Sequence, residues 1–207
     1  RYDDDVGWDS DSAYVFRTTD GGATYTQVAK LKASDGYQYD YFGFSVAIDG
    51  STIVVGACYD DDGGTNSGSA YVFHTTDGGA TYNQVAKLTA SDRYYHDEFG
   101  WSVAISGNTI VVGAIRKDSY TGAVYVFRTT DGGATYTQVA KLTASDAASY
   151  EYFGWSVAID GNTIMVGARY DDDSGSNSGS AYVFRTTDGG ASYGQVAKLK
   201  ASAPYYD

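Results

Sequence analysis

The chain has few of the residues that form cross-links or carry acid–base catalysis. It contains one cysteine, one proline, one methionine and two histidines among 207 residues. A single cysteine cannot form an intrachain disulfide, so packing and hydrogen bonds must hold the fold. No apolar run reaches the roughly 18 residues of a membrane helix, so we expect no membrane span.

Positive charge is also scarce. The chain has 14 Lys and Arg residues against 26 Asp and Glu residues, which gives a net charge of −12. Nucleic-acid phosphates require a basic surface, so we expect no nucleic-acid partner. High acidity suits a soluble protein that is secreted or held at the cell surface, and we expect an extracellular location. His74 and His96 belong to no Ser–His–Asp or Cys–His pattern, so we do not expect an enzyme.

A repeated unit of about 55 residues organises the chain. The tyrosine of a Tyr-Val-Phe segment recurs at intervals of 57, 54 and 57 residues, at Tyr14, Tyr71, Tyr125 and Tyr182. We interpret residues 1–207 as a single repeat domain. It consists of a half-repeat over residues 1–32 and repeats over about 33–89, 90–143 and 144–200.

Each repeat contains four short apolar runs, which in the second full repeat are residues 99–105, 109–114, 123–128 and 136–142. The runs are rich in Val, Ile, Tyr, Phe and Thr and are separated by Gly, Asp, Asn and Ser, which is typical of strands joined by tight turns. Four antiparallel strands per repeat predict an all-β fold, a β-propeller of stacked blades. The chain would hold about 3.5 blades. We therefore expect a part of a longer or assembled propeller, whose partners are other protein subunits or further repeats of the same parent chain.

The segments FG, SVAI, TIVVGA, GSAYVF and QVAKLTASD recur in register, and this set resembles the FG-GAP repeats of integrin α-subunit propellers. The resemblance implies an extracellular structural or adhesion module that acts through protein–protein contacts. The family's calcium loop between the first two strands is missing, because a turn such as Asp49-Gly50 offers too few oxygens for Ca²⁺. A second motif resembles the Asp-box, a β-hairpin corner, at residues 18–25, 75–82, 129–136 and 186–193. Its Asp is expected to bind backbone N–H groups of the turn.

Acidic residues concentrate in the loop between the second and third strands of a repeat. Three adjacent carboxylates, an Asn amide and loop carbonyls could together bind a divalent cation such as Ca²⁺, and a solvated acidic turn is the alternative. In the middle repeat this loop is shorter and basic, with Arg116 and Lys117. The candidate metal ligands are Asp3, Asp4, Asp5, Asp60, Asp61, Asp62, Asp171, Asp172 and Asp173.

Tyrosines crowd the turn that precedes each Phe-Gly, where they could pack between blades, pair subunits or stack on sugars. A glycan-binding propeller lectin is therefore the alternative to a structural or adhesion module. A sialidase-like hydrolase is a weaker alternative that the Asp-boxes suggest, but no cluster of arginines is visible to hold a carboxylate sugar. We expect no cofactor other than Ca²⁺.

Overall fold

The computed structural model describes residues 12–173 and 175–202, which form fourteen strands. The first six strands are β1 (Ala13–Arg17), β2 (Thr26–Leu31), β3 (Phe42–Asp49), β4 (Thr52–Ala57), β5 (Ser69–His74) and β6 (Asn83–Leu88). The next four are β7 (Phe99–Ser106), β8 (Thr109–Ala114), β9 (Ala123–Arg128) and β10 (Thr137–Leu142). The last four are β11 (Phe153–Asp160), β12 (Thr163–Ala168), β13 (Ser180–Arg185) and β14 (Gly194–Leu199).

The strands pair in chain order into antiparallel sheets. β1 and β2 form a two-stranded sheet, and β3–β6, β7–β10 and β11–β14 form three four-stranded sheets. This arrangement confirms the predicted all-β fold of stacked, four-stranded propeller blades. None of the described helical segments is long and apolar enough to cross a membrane.

Glycine turns close the first hairpin of each four-stranded sheet, as the sequence predicts. Gly50, Gly107 and Gly161 have φ of +54°, +54° and +51°, a backbone region that glycine enters without steric cost. In the β3–β4 hairpin, regular pairing runs from Asp49 with Thr52 to Ser45 with Gly56. The register then shifts, and Phe42 pairs with Ala57. The shift is a bulge at the Phe-Gly segment.

The second strand of each inner sheet is buried on both faces. In β8, Ile110 and Val112 pack in a cluster with residues of the preceding sheet, whereas Val111 packs in a cluster with the following one. Stacking is close because the residues at the contact are small. A Cβ on Gly56 would lie 2.1 Å from the carbonyl oxygen of Gly100 in the next sheet.

One short helical segment, α1 (Lys117–Tyr120), interrupts the β structure in the basic middle loop. The sequence predicted no helix here. The backbone of Asp118 and Ser119 is left-handed, with φ of +52° and +63°, so the segment is a tight turn and not a regular α-helix. It shortens the connection between β8 and β9 relative to the acidic loops of the other two sheets.

Candidate functional site

A lysine at the centre of three carboxylates holds the acidic loop of the β3–β6 sheet. Nζ of Lys87, on β6, lies 2.9 Å from Oδ2 of Asp35, 2.9 Å from Oδ2 of Asp60 and 2.5 Å from Oδ2 of Asp62. Asp60 and Asp62 belong to the loop between β4 and β5, whereas Asp35 belongs to the turn before β3. The lysine therefore joins two loops and two sheets.

A buried tyrosine contacts the same cluster from the interior of the sheet. The hydroxyl of Tyr71, on β5, donates a hydrogen bond of 2.7 Å to Oδ2 of Asp60, and Lys87 Nζ lies 5.2 Å from the centre of the Tyr71 ring. Burial, followed by the contact with Asp60, raises the pKa of the Tyr71 hydroxyl well above its usual range. Burial alone would lower the pKa of Lys87, but the hydrogen bonds that its ammonium group donates to Asp62, Asp35 and Asp60 outweigh burial and raise the pKa. Tyr71 therefore stays protonated and Lys87 stays charged at neutral pH.

The β11–β14 sheet repeats this arrangement. Lys198 Nζ lies 2.7 Å from Asp146 and 2.6 Å from Asp171, and it also pairs with Asp173. The hydroxyl of Tyr182 lies 2.7 Å from Oδ2 of Asp171 and 2.9 Å from Oδ1 of Asp146, so its one proton is within hydrogen-bond distance of both carboxylates. Asp171 is fully buried, like Asp60.

The β7–β10 sheet reverses one charge in the cluster. Lys117 stands where the other two sheets have Asp60 and Asp171, and it is equally buried. Its ammonium lies 3.0 Å from Asp97, while Lys141 pairs at 2.8 Å with Asp92. The basic loop that the sequence singles out therefore keeps the same cluster with a buried cation in place of a buried anion.

The predicted metal ligands of the first loop point in different directions. Asp60 points inward to Tyr71 and Lys87, whereas Oδ1 of Asp61 accepts a hydrogen bond of 2.7 Å from the backbone N–H of Asn66. Asp62 points outward and pairs with Lys87. Asp61 therefore stabilises the turn, and the other two carboxylates bind one ammonium group.

The second predicted metal loop uses its carboxylates in the same way. Oδ1 of Asp172 accepts a hydrogen bond of 2.6 Å from the backbone N–H of Asn177, and Asp171 and Asp173 pair with Lys198. The remaining candidates, Asp3, Asp4 and Asp5, lie outside the described residues. Within the described ranges no group of three or more Asp, Glu, His or Cys side chains is arranged to hold a metal ion.

These contacts do not fit a calcium site. A calcium ion takes six to eight oxygen ligands, and here an ammonium group lies between the carboxylates that would supply them. Binding would require Lys87 or Lys198 to leave. Calcium binding by the acidic loops stays a prediction. The ion would have to compete with the lysine ammonium group for the same carboxylates.

Three further carboxylates are buried at the turn before the Phe-Gly segment. Burial, reinforced by repulsion from Asp60 and Asp61, raises the pKa of Asp40 to about 6. Burial raises the pKa of Glu98 to about 7, although Oε1 lies 3.0 Å from Nη1 of Arg116. Burial also raises the pKa of Asp97, against the lowering effect of Lys117.

The tyrosines of this turn divide into two groups. Tyr41 packs on Tyr59 with ring centres 4.9 Å apart, and Tyr152 packs on Tyr170 at 5.4 Å. Both contacts lie within one sheet, between the turn and the loop after the second strand, whereas the interpretation from sequence was packing between blades. Others in the turn are mostly exposed, with exposed fractions from 56% to 78%: Tyr37, Tyr39, Tyr94, Tyr95 and Tyr150. Of these, Tyr150 also stacks on Tyr120 of the preceding sheet, with ring centres 5.2 Å apart. Sequence alone did not separate the two groups.

The aromatic residue after each Phe-Gly forms a ladder from sheet to sheet. Phe44 lies 4.7 Å from Trp101, and Trp101 lies 5.0 Å from Trp155, measured between ring centres. The repeated aromatic residue therefore lies at the interface between neighbouring sheets.

The Asp-box turns are structural, as predicted. In the first, Oδ1 of Asp20 accepts a hydrogen bond of 3.0 Å from the backbone N–H of Thr24, and Oδ2 accepts one of 2.6 Å from the Thr24 hydroxyl. These hydrogen bonds, above all those from the Thr18 and Thr24 hydroxyls, hold the pKa of the Asp20 carboxyl below its usual range. Both oxygens of the Asp20 carboxylate accept hydrogen bonds within the turn, so the carboxylate completes the turn.

Arginines at the ends of the Tyr-Val-Phe strands contact the Asp-box turn of the next sheet. Nη1 of Arg17 donates to the carbonyl oxygen of Gly78, and Nη1 of Arg128 donates to that of Gly189. His74 occupies the equivalent position in the β3–β6 sheet and instead lies 3.1 Å from the Thr52 hydroxyl. A cavity of about 230 Å³, lined by His74, Gly132 and Tyr136 among others, lies at this interface.

The comparisons with known proteins agree with this architecture. A family model described as the FG-GAP repeat matches residues 25–73, 82–127 and 136–184. The chain belongs to the FG-GAP repeat family. Each FG-GAP match begins at the last strand of one sheet and ends in the third strand of the next, so that residues 25–73 span β2 to β5. Sequence repeats and sheets are therefore offset by one strand, and each repeat links two neighbouring sheets.

The FG-GAP chain is also similar to Integrin alpha-11 of Homo sapiens, with 34% identity over 132 residues. The match covers 56% of this chain and 11% of the relative, so the chain spans about a tenth of the length of that protein. A solved structure titled as the crystal structure of Saccharomyces cerevisiae Sqt1 matches with a TM-score of 0.50 and 12% identity, over 79% of this chain and 36% of that one. The second likeness bears on the fold alone.

The lysine of each cluster is the residue that sequence reasoning missed. Lys87, Lys141 and Lys198 occupy one register position in the Gln-Val-Ala-Lys-Leu strand, and Lys30 lies over the Tyr14 ring in the two-stranded sheet. The sequence did contain a signal for this cluster: a lysine recurs at one position of the repeat, together with a recurring tyrosine and an acidic loop.

Proposed function

We propose that the chain is a non-catalytic, extracellular adhesion-type module that acts through protein–protein contacts. Its membership of the FG-GAP family and its similarity to an integrin α-subunit support this class of function. The two histidines do not support a catalytic role. His74 contacts Thr52 and His96 contacts Asn66, and neither pairs with a serine or cysteine in the part of the chain that the structure describes.

The observation that carries the proposal is the row of exposed tyrosines at one end of the sheets. Tyr37, Tyr94 and Tyr150 are 78%, 65% and 62% exposed, in three successive copies of the same turn. The backbone at Tyr39, His96 and Tyr150 is left-handed in each copy, with φ of +73°, +62° and +72°. This conformation is uncommon for residues other than glycine, and here it is repeated at one place in each turn.

Exposed tyrosine suits a protein contact. The side chain supplies a large, rigid and amphipathic surface while losing little rotational freedom, and aromatic residues are enriched at protein interfaces. The acidic loops lie beside these turns, because the lysine clusters join the two. The surface therefore combines aromatic rings with carboxylates such as Asp61 and Asp62.

Binding to a panel of purified extracellular-matrix proteins, measured by biolayer interferometry with a glycan array in parallel, tests the proposal. We expect saturable binding to at least one protein. The double change Tyr94→Ser with Tyr95→Ser should weaken it by about tenfold or more, as for residues central to an interface. Tyr25→Ser is the matched control, because Tyr25 is 64% exposed at the opposite, Asp-box end of its sheet.

Two results would contradict the proposal. Binding that survives the loss of the loop tyrosines but not the loss of Tyr25 would place the contact at the wrong end of the sheets. Binding to glycans without binding to any protein would favour the lectin alternative.

A further inference from the structure

Two tyrosines from neighbouring sheets stack on each other at the end of the sheets that carries the acidic loops. Tyr120 is the last residue of α1, between β8 and β9, and Tyr150 lies in the turn before β11. Their ring centres are 5.2 Å apart and their planes differ by 14°. The other contacts between tyrosines in the described ranges are tilted by 41° to 77°. The Tyr120–Tyr150 pair is therefore the one near-parallel stack of phenol rings in that part of the chain.

The backbone holds the two rings together. The backbone N–H of Tyr152 donates to the carbonyl oxygen of Tyr120 at 3.1 Å, and that of Phe153 donates to the carbonyl oxygen of Thr121 at 2.9 Å. The guanidinium carbon of Arg116 lies 5.4 Å from the centre of the Tyr120 ring. The stack is therefore supported by two hydrogen bonds between the sheets and by a cation beside one ring.

The preceding interface has the same backbone pairing with different side chains. The backbone N–H of Glu98 donates to the carbonyl oxygen of Asn66 at 3.1 Å, and Nδ2 of Asn66 lies 3.3 Å from Nδ1 of His96. Asn66 and His96 thus occupy the places of Tyr120 and Tyr150. The position belongs to the repeat, whereas the pair of phenols belongs to one copy of it.

Both stacked rings are accessible from solvent. Tyr150 is 62% exposed, and Tyr39 at the same place of an earlier turn is 56% exposed, so the exposure is a property of the turn. Tyr120 is partly exposed, whereas the next tyrosine along the chain, Tyr125, is fully buried. A reagent in solution therefore reaches Tyr120 and Tyr150 but not Tyr125.

We propose that Tyr120 and Tyr150 form a site of oxidative cross-linking, at which a haem peroxidase with hydrogen peroxide joins the two rings as a dityrosine. This modification goes beyond the proposed adhesion function. The chain has one cysteine and therefore no intrachain disulfide, and an oxidising extracellular environment is where a covalent link would persist.

The chemistry balances as a two-electron oxidation. Each phenol loses one electron and one proton to become a phenoxyl radical, whose unpaired electron is shared with the ring carbons next to the C–O carbon. A carbon–carbon bond forms between one such carbon of each ring, and the hydrogen on each carbon leaves as a proton while the phenol hydroxyls are restored. The two electrons and two protons removed overall reduce one hydrogen peroxide to two waters.

The stack favours coupling within this pair over coupling elsewhere. Two radicals held in contact react as a unimolecular pair, which raises their effective concentration far above that of a second chain in dilute solution. The link would close a loop of about 30 residues and join neighbouring sheets, so it would stabilise the fold in the way that a disulfide does.

Oxidation of the whole chain by a haem peroxidase with limiting hydrogen peroxide, at low protein concentration, tests the proposal. We expect a product that stays monomeric on a denaturing gel, loses the mass of two hydrogen atoms and gains dityrosine fluorescence. Trypsin should then release residues 118–128 joined to residues 142–169. The same oxidation in unfolding urea should lose this joined product, because the stack no longer exists.

Phenylalanine variants identify the linked rings. Tyr150→Phe and Tyr120→Phe should each abolish the joined peptides. Tyr152→Phe is the matched control and should keep them, because Tyr152 lies on the same peptide but its ring is tilted by 55° to that of Tyr120, with centres 5.7 Å apart.

Four results would overturn the proposal. They are joined peptides that survive Tyr150→Phe, an equal yield of them in urea, covalent dimers as the main product, and a link confined to the peptide of residues 94–116. The last would show coupling between Tyr94 and Tyr95, whose ring centres are also 5.2 Å apart but whose planes are tilted by 77°.

Discussion

Replacing the central lysine of an acidic cluster should destabilise the fold more where the replacement leaves a buried carboxylate without its cation than where all the carboxylates are exposed. Lys87→Met and Lys141→Met make the same chemical change at equivalent positions. We expect a loss of about 3 kcal/mol in the free energy of unfolding for the first and about 1 kcal/mol for the second.

The magnitudes follow from the partners of each lysine. Lys141 pairs with Asp92 and Asp118, whose side chains are 45% and 63% exposed, and exposed pairs contribute about 0.5 kcal/mol each. Lys87 has two comparable partners and also pairs with Asp60, whose side chain is 3% exposed. Stranding a buried carboxylate costs about 3–5 kcal/mol, which we reduce to about 2 because the Tyr71 hydroxyl still donates to Asp60.

Urea unfolding followed by circular dichroism measures both losses, provided that the dependence of the free energy on urea is unchanged. Adding Asp60→Asn to Lys87→Met should recover part of the stability, since it removes the stranded charge. Equal losses for the two lysine variants, or no recovery in the double variant, would refute the reasoning.

Three further predictions concern other positions. His74→Arg should raise the free energy of unfolding in urea by about 1 kcal/mol, because the arginine can donate to the carbonyl oxygen of Gly132 as Arg17 donates to that of Gly78. Arg17→His should lower the free energy of unfolding by the same amount. No gain in the His74→Arg variant would contradict a stabilising role for this contact. The stability of the native chain relative to Glu98→Gln should fall as pH rises from 4.5 to about 7, since the folded pKa of Glu98 lies above its unfolded value; a constant difference would contradict burial of the carboxyl. Added Ca²⁺ should raise the melting temperature of Lys87→Gln more than that of the native chain, because a ligand of the folded state stabilises it and the ammonium no longer competes; equal responses, checked against chelator, would remove calcium from this loop.

Local sequence patterns were sufficient to predict the secondary structure. The alternating apolar runs and the Gly-containing turns predicted strands and hairpins such as the one closed at Gly107, because strand pairing and left-handed turns depend on residues close in sequence. Among the described residues the exception is the segment Lys117–Tyr120, because a left-handed turn has no sequence signature that distinguishes it from an irregular loop.

The site was predicted only in part. The acidic loops were found, but their partner was not, because Asp35 and Lys87 are 52 residues apart and meet only when neighbouring sheets stack. A run of carboxylate residues in a sequence predicts a cation-binding site. Whether the cation is a metal ion or a lysine ammonium depends on which strand end faces the loop.

By itself, the sequence determined the repeat, its four strands and its turns, because each rests on local geometry that recurs in every copy. The tertiary structure decided which tyrosines are exposed, which acid is buried and which face remains uncovered. Those properties depend on distances between sheets, and Met165 and Val111 differ in exposure only because a Phe-Gly strand covers one of them.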